Sequence, residues 1–218
     1  MNNTQVILKR RPQGVPVAED FEAVTTTLVG PREGEALIKN EYISMDAGFR
    51  NWMDEDAGDA VLPAMALGQP VMGLTVGVVA ESRHSSLKEG DLVMGRLAWE
   101  QYSLAADDFL VVLDHQDTDT PTHYHLGILG DTGMSAYFGL TDIGQPKVGE
   151  TVVISAAGGA VGYVAGQIAK LMGASRVVGL TSSNAKGERL KLELGYDAFI
   201  NCHEPNLDQQ FSTACPTG

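Results

Sequence analysis

Length, composition and charge narrow the class of protein before any motif is considered. The chain has 218 residues, 44% of them hydrophobic, and a mean hydropathy of −0.04, which is typical of a soluble globular protein of one large or two modest domains. Its net charge of −13 argues against a nucleic acid or an anionic membrane as partner. Since neither a transmembrane segment nor a signal peptide is recognisable, we expect a cytoplasmic protein with no membrane partner.

Cysteine and histidine are too few and too scattered to predict a disulfide framework or a metal site. The two cysteines are Cys202 and Cys215. The five histidines do not fall at the spacing of metal ligands: His84, His115, His123, His125 and His203. We therefore expect no metal.

The chain changes character near residue 125. Before it, short strand-like runs alternate with glycine-rich turns, a pattern that favours a compact β barrel or sandwich. The predicted strands cover residues 5–9, 35–41, 73–81, 91–94 and 110–113. After it, residues 126–140 are rich in small side chains and favour a helix. We predict domains at residues 1–125 and 126–218.

Residues 151–173, TVVISAAGGAVGYVAGQIAKLMG, read as a strand, a turn of small residues and a helix that Gly173 ends. The pattern G-x-G-x-x-G appears with alanine at its first position, as Ala157, Gly159 and Gly162. Such a turn brings backbone N–H groups and a helix N-terminus towards a pyrophosphate. Taken alone, it is equally compatible with a tight strand-to-helix turn that binds no ligand.

The following residues continue a βαβ pattern. We predict a strand at residues 176–181, a helix that Asn184 caps and Gly195 ends, a strand at residues 197–201 and a helix at residues 207–214. The predicted fold class is therefore α/β, with a β-rich first domain followed by a parallel sheet.

Several patches together resemble one known family. They are SMDAGFRNWM at residues 44–53, GLTVGVVAES at 73–82, GDLV at 90–93, LGDTGMSAYFGL at 129–140 and the stretch at 151–173. They are similar to the zinc-independent medium-chain dehydrogenase/reductases, in particular the leukotriene B4 dehydrogenase/prostaglandin reductase group of alkenal reductases. The resemblance covers the whole chain and implies a GroES-like first domain followed by a doubly wound Rossmann-type domain.

The resemblance also implies a cofactor, NADP(H). No carboxylate follows the strand at residues 176–181 until Glu188, whereas NAD sites place an acid there for the ribose hydroxyl. Lys186 matches the family's phosphate-binding lysine, although an exposed lysine near a helix start is commonly only solvated. The implied cofactor-binding residues are Thr132, Ser135, Gly159, Ala160, Val161, Gly162, Ser182 and Lys186. Zinc is not implied, because Gly68-Gln69-Pro70 stands where the zinc-dependent branch has Gly-His-Glu.

The activity implied by the resemblance is reduction of the C=C bond of an α,β-unsaturated aldehyde or ketone by hydride from NADPH. The alternatives are an NADPH quinone reductase and a non-catalytic nucleotide-binding protein. Asp46, Arg50 and Trp52 are substrate-pocket candidates, although Asp46 and Arg50 could equally form a structural ion pair. Three residues depart from the family pattern and bear on the site: Gly48, Asp131 and Cys202.

Three predicted parallel strands make only half of a dinucleotide-binding sheet. We therefore expect the second half, and with it the proton donor, to lie outside these 218 residues, which alone would lack the catalytic group. The expected partners are a small-molecule enone, enal or quinone and, for the full-length protein, a second copy in a homodimer.

Overall fold

The computed structural model describes residues 1–58, 62–106, 110–113 and 120–216. The chain divides into two units, Met1–Leu126 and Gly127–Gly218. The first is rich in antiparallel strands, and the second combines helices with a parallel sheet. The α/β fold class predicted from the sequence is confirmed.

The first unit contains antiparallel strands in two sheets. β1 (Asn2–Leu8) pairs with β2 (Phe21–Thr27). The other sheet has the order β6-β3-β4-β5-β7. Its members are β3 (Ala36–Ile43), β4 (Met72–Ser82), β5 (Leu92–Ala98), β6 (Tyr102–Ala105) and β7 (Val111–Val112).

The inward-facing side chains of this sheet form the core of the first unit. Ala36 and Ile38 on β3 lie in one buried cluster with Val79 on β4 and Val93 on β5. A second cluster lies beside the 3-10 turn Ala47–Met53, whose Phe49 and Met53 pack with residues that include Leu8 and Val71. Burial of these apolar side chains holds the turn against β1.

The second unit begins with helical segments. α1 (Asp131–Phe138) is followed directly by a π-helical turn, Gly139–Gly144. Three parallel strands then alternate with helices in the sheet order β10-β9-β8. In chain order they are β8 (Thr151–Ile154), α2 (Ala160–Leu171), β9 (Arg176–Thr181), α3 (Asn184–Leu194), β10 (Ala198–Asn201) and α4 (Leu207–Ala214).

The predicted elements match the observed ones well in the second unit and less well in the first. The bounds of β9 and the end of α3 are as predicted, and Gly195 takes the left-handed conformation expected of a helix stop. The predicted cap of α3 is wrong: Ser183, not Asn184, is the N-cap, because its hydroxyl accepts from the backbone N–H of Lys186.

Two strands of the first unit are missing from the prediction. β2 is largely exposed and, among the described strands, pairs only with β1, so its sequence, FEAVTTT, lacks a regular apolar alternation. β6 is only four residues long. The predicted helix at residues 126–140 is also shorter in the structure, where α1 starts at Asp131.

Tyr196 joins the elements of the second unit. Its ring is 3% exposed and belongs to the main buried cluster of this unit, and its hydroxyl donates to the carbonyl oxygen of Gly162 at 2.5 Å. The ring lies against Gly166 of α2, where any Cβ would overlap it. A glycine at this position therefore allows α2 to approach the segment that follows α3.

Tyr196→Phe is expected to lower the free energy of unfolding by about 1 kcal/mol, because the buried hydrogen bond from the hydroxyl to the Gly162 carbonyl oxygen is lost. Burial raises the pKa of Tyr196 to about 12 from an ordinary value of 10.0. The neutral hydroxyl stabilises the fold fully below pH 10, and this stabilisation is lost as pH rises from 10 through about 12. The difference in stability between the unsubstituted protein and Tyr196→Phe should therefore shrink across that range of pH.

Urea unfolding followed by circular dichroism at several pH values measures both effects. Tyr137→Phe, which removes a hydroxyl from a half-exposed ring on α1, is the matched control and should change stability by less than about 0.5 kcal/mol. Equal stability of Tyr196→Phe and the unsubstituted protein would show that the bond to Gly162 contributes nothing.

Candidate functional site

The turn between β8 and α2 presents free backbone N–H groups. Ala156 takes a left-handed conformation, with φ 47°, and Gly159 donates to its carbonyl oxygen at 2.9 Å. Gly159 is the N-cap of α2 but offers no side chain to cap it. The first helical bond of α2 is donated by Tyr163 to Gly159, so the preceding N–H groups, those of Ala160, Val161 and Gly162, are available to an anion.

Gly162 is required by close packing. A Cβ at this position would lie 2.5 Å from the Cα of Ala157 and 2.7 Å from two carbonyl oxygens. Real Cβ atoms do not approach backbone so closely, which explains the last glycine of the G-x-G-x-x-G pattern. The helix can therefore start directly beside the end of β8.

Ala157 replaces the first glycine of the pattern without distorting the turn. It is fully buried, and its N–H donates to the Leu180 carbonyl oxygen of β9 at 2.8 Å. Its Cβ faces Gly179 of β9, where a second Cβ would lie at only 2.8 Å. The glycine on the neighbouring strand thus provides the space that the alanine fills.

Lys186 lies against this turn. A Cβ at Gly158 would meet the Lys186 side chain, with Cδ at 3.0 Å and Cβ at 3.2 Å. The Lys186 side chain is exposed and forms no ion pair within the described part of the chain. Its aliphatic part is therefore positioned by Gly158, and its ammonium group is free to meet an anion.

A cavity of about 390 Å³ opens at the carboxyl ends of the three parallel strands. The described residues that line it are Ser155, Ala156, Gly158, Gly159, Leu180, Thr181, Ser182, Lys186 and Cys202. They include no carboxylate, and Lys186 supplies the one positive charge. Of the predicted cofactor residues, the cavity brings together Gly159, Ser182 and Lys186, with the N-terminus of α2 beside them.

Thr181 is a cavity residue that the sequence did not single out, whereas Cys202, named there as a departure that bears on the site, also lines the cavity. Thr181 is only 4% exposed, and its Oγ1 has no hydrogen-bond partner among the residues described. A Cβ at Gly158 would lie 3.4 Å from that oxygen. Both residues stand at the carboxyl end of a parallel strand, the edge at which such sheets bind ligands, so the strand pattern was a usable signal.

Thr132 and Ser135 lie apart from this cavity on α1. Thr132 is half-buried and Ser135 is exposed, and neither is among the described residues that line the cavity. Gly133 between them packs tightly on the Ile128 carbonyl. Asp131 begins the helix and is exposed, in the first turn, where a carboxylate interacts favourably with the helix dipole.

The substrate-pocket candidates of the first unit lie on one short turn but make different contacts. Asp46 accepts from the N–H of Gly48 at 3.0 Å, as the N-cap of the 3-10 turn. Arg50 pairs with Asp54 at 2.8 Å, so the ion pair with Asp46 that the sequence allowed is wrong. Arg50 also donates to the carbonyl oxygens of Gly14 and Pro12, which fastens the turn to the N-terminal segment.

Trp52 packs within the first unit. Its ring lies 5.6 Å from that of Phe49, and its buried Nε1 has no hydrogen-bond partner in the part of the chain that is described. A buried indole N–H without an acceptor is uncommon, because its desolvation is uncompensated. Trp52 is therefore the candidate of the three that holds an unused donor.

Among the described residues, no three His, Cys, Asp or Glu side chains stand close enough to hold a metal ion. His115 lies outside those residues. No described helix has the length and apolar character needed to cross a bilayer.

Comparison with known proteins identifies the family. Residues 4–113 match the family described as the N-terminal domain of oxidoreductase. The chain belongs to the zinc-independent medium-chain dehydrogenase/reductases. This confirms the family that the sequence motifs indicated.

Two relatives illustrate the similarity within this reductase family. The chain is 45% identical to YfmJ of Bacillus subtilis over 217 residues, which are 98% of this chain and 62% of YfmJ. It is 38% identical to the NADPH-dependent curcumin reductase of Escherichia coli, over 99% of this chain and 61% of that protein. The chain therefore spans less than two thirds of the length of these relatives.

Solved structures agree with the fold. CurA from Vibrio vulnificus in complex with NADPH matches with a TM-score of 0.85 and 35% identity, over 99% of this chain and 62% of that one. A quinone oxidoreductase of Escherichia coli, at 21% identity and a TM-score of 0.71, shows the shared fold alone.

Gly162→Ala tests the turn on which the candidate site is built. We expect it to lower the free energy of unfolding by about 2 kcal/mol, because the new methyl group must displace backbone rather than a flexible side chain. Gly139→Ala is the control, since a Cβ there meets no described atom within 4 Å. Thermal and urea unfolding measure both variants, and a Gly162→Ala protein as stable as the control would contradict the packing argument.

Proposed function

We propose that this reductase-family protein binds NADP(H) at the carboxyl edge of its parallel sheet and reduces the C=C bond of α,β-unsaturated aldehydes and ketones. The observation that carries the proposal is the cavity itself: a glycine turn, an unpaired lysine and no carboxylate among its described lining residues. The relatives support it, since they include a 2-alkenal reductase of Nicotiana tabacum that is 39% identical.

The residues present fit the adenosine half of the cofactor. The free N–H groups at the start of α2 suit the pyrophosphate, and Gly159 leaves room for its close approach. Lys186 and Ser182 suit a 2′-phosphate, which a cation with hydroxyl donors holds and an acid would repel. The unpartnered Thr181 hydroxyl, buried beside Gly158, is a further donor in the same cavity.

The cofactor supplies a hydride when bound, and the protein has to orient it and exclude water. We assign Thr132 and Ser135 to contacts on the nicotinamide side, as the resemblance implies. Arg50 and Asp46 hold the 3-10 turn in shape through bonds to Asp54, Gly14 and Gly48, which makes them positioning residues. Trp52 of the same turn stays a substrate-pocket candidate, and its buried indole N–H has no hydrogen-bond partner among the described residues.

The alternatives differ in substrate rather than in site. A quinone reductase would use the same cofactor contacts, and a non-catalytic protein would bind the cofactor without turnover. The homodimer and the cytoplasmic location expected from the sequence stay predictions.

The decisive assay follows NADPH absorbance with trans-2-nonenal as substrate. We expect NADPH oxidation with formation of the saturated aldehyde and little consumption with nonanal, which lacks the activated double bond. Turnover with quinones but not with alkenals would replace the proposed function with quinone reduction. Tight NADPH binding without turnover of either substrate would favour the non-catalytic alternative.

Lys186→Met tests the assignment of the 2′-phosphate. Because the variant loses a charge-assisted contact to the phosphate, we expect the Kd for NADPH to rise by about tenfold to a hundredfold, with the Kd for NADH unchanged. Lys191→Met is the control, since Lys191 lies on the same helix but pairs with Glu188 at 3.3 Å. Calorimetry measures all four affinities, and an equal loss for NADH and NADPH would place Lys186 elsewhere than at the phosphate.

A further inference from the structure

Cys202 is placed in the cofactor cavity by strand pairing. It follows β10 directly, and its N–H donates to the Thr181 carbonyl oxygen at 2.9 Å. The parallel register that pairs Asn201 with Thr181 therefore brings Cys202 beside Ser182. The thiol is free, the residue is exposed, and it lines the cavity together with Lys186 and Gly158.

A second observation points to a polar ligand in the cavity. Thr181 is 4% exposed, and its hydroxyl has no hydrogen-bond partner in the described structure, although it lies beside Gly158 on the cavity wall. An unsatisfied hydroxyl of this kind costs stability unless a ligand or water meets it. Cys202 therefore shares a binding cavity and is not merely an exposed thiol on a surface loop.

We propose that Cys202 is a site of alkylation by α,β-unsaturated aldehydes, and that NADP(H) bound in the same cavity protects it. The inference rests on the proposed function, because the substrates of that reaction are themselves thiol-reactive electrophiles. An adduct at Cys202 would occupy the space of the adenosine phosphate. Enal reaching the protein without cofactor would thus block cofactor binding.

The chemistry needs no further reactant. The Cys202 thiol loses its proton to solvent, and the thiolate sulfur forms a C–S bond to the β-carbon of the aldehyde. The C=C electron pair shifts to give an enolate, which takes a proton from water at the α-carbon. No group leaves and no oxidation state changes overall, so the protein gains the full mass of the aldehyde.

Cys215 provides an internal control in every sample. It is half-buried, packs against the cluster that includes Val178 and Ile200, and is not among the described residues that line the cavity. A ligand that protects by filling the cavity should slow alkylation at Cys202 alone. A ligand that acts by stabilising the whole unit should slow both.

The experiment treats the purified protein with trans-2-nonenal and quantifies adducts at both cysteines by peptide mass spectrometry. NADP⁺ is the protecting ligand, since it cannot reduce the aldehyde. At saturating NADP⁺ we expect alkylation of Cys202 to slow by about tenfold or more, as mass action requires of a covered site, with no change at Cys215. Nonenal treatment should abolish NADP⁺ binding in Cys215→Ser but not in Cys202→Ser, each compared with its own untreated sample.

The outcomes separate this inference from the proposed function. Calorimetry on untreated protein tests NADP⁺ binding, and absence of binding would overturn both. If NADP⁺ binds while Cys202 alkylates at the same rate with and without it, only the inference is overturned. Equal protection of Cys202 and Cys215 would overturn it too, because the effect would then be one of global stability.

Discussion

The contact of α2 with the end of β8 is the constraint on which the second unit depends. A helix that starts directly at the end of a buried strand must pass within van der Waals distance of that strand's backbone. Gly162 permits this on the helix, where a Cβ would lie 2.5 Å from Ala157. The same approach places Gly162's carbonyl where Tyr196 donates to it, so one small residue fixes both the turn and the core. The free N–H groups at the start of α2 follow from this geometry.

The parallel direction of the strands brings the other cavity residues together. Because β8, β9 and β10 run in the same direction, their carboxyl ends meet at one edge, and residues distant in sequence come together there. Gly158 follows β8, Thr181 ends β9 and Cys202 follows β10, yet all three line one cavity. Lys186 joins them because Ser183 starts α3 at this edge and Gly158 lacks the side chain that would push the lysine away.

The sequence predicted the second unit better than the first for a physical reason. The βαβ pattern combines apolar runs, helical spacing and glycine stops, each a local signal, and Gly195 ends α3 where expected. β2 gave no such signal, because most of its residues are exposed and its main-chain pairing with β1 does not require an apolar alternation. In the site, the glycine turn and Lys186 were recognisable, whereas the orphaned Thr181 hydroxyl depends on burial and partners that only the structure supplies. Likewise, the sequence suggested an ion pair between Arg50 and Asp46, whereas the structure pairs Arg50 with Asp54, which lies four residues away on the other side.

The acidic net charge of the chain is compatible with a phosphate site, because the net charge and the groups that line the cavity act over different distances. A net charge of −13 opposes a polyanion that covers a large surface, where many carboxylates repel it together. A single phosphate in a small cavity responds mainly to nearby groups, since salt screens exposed charges beyond about 8 Å. The described lining here holds one ammonium, several hydroxyls and a helix N-terminus, with no carboxylate. Local composition, rather than net charge, therefore decides what this edge of the sheet can bind.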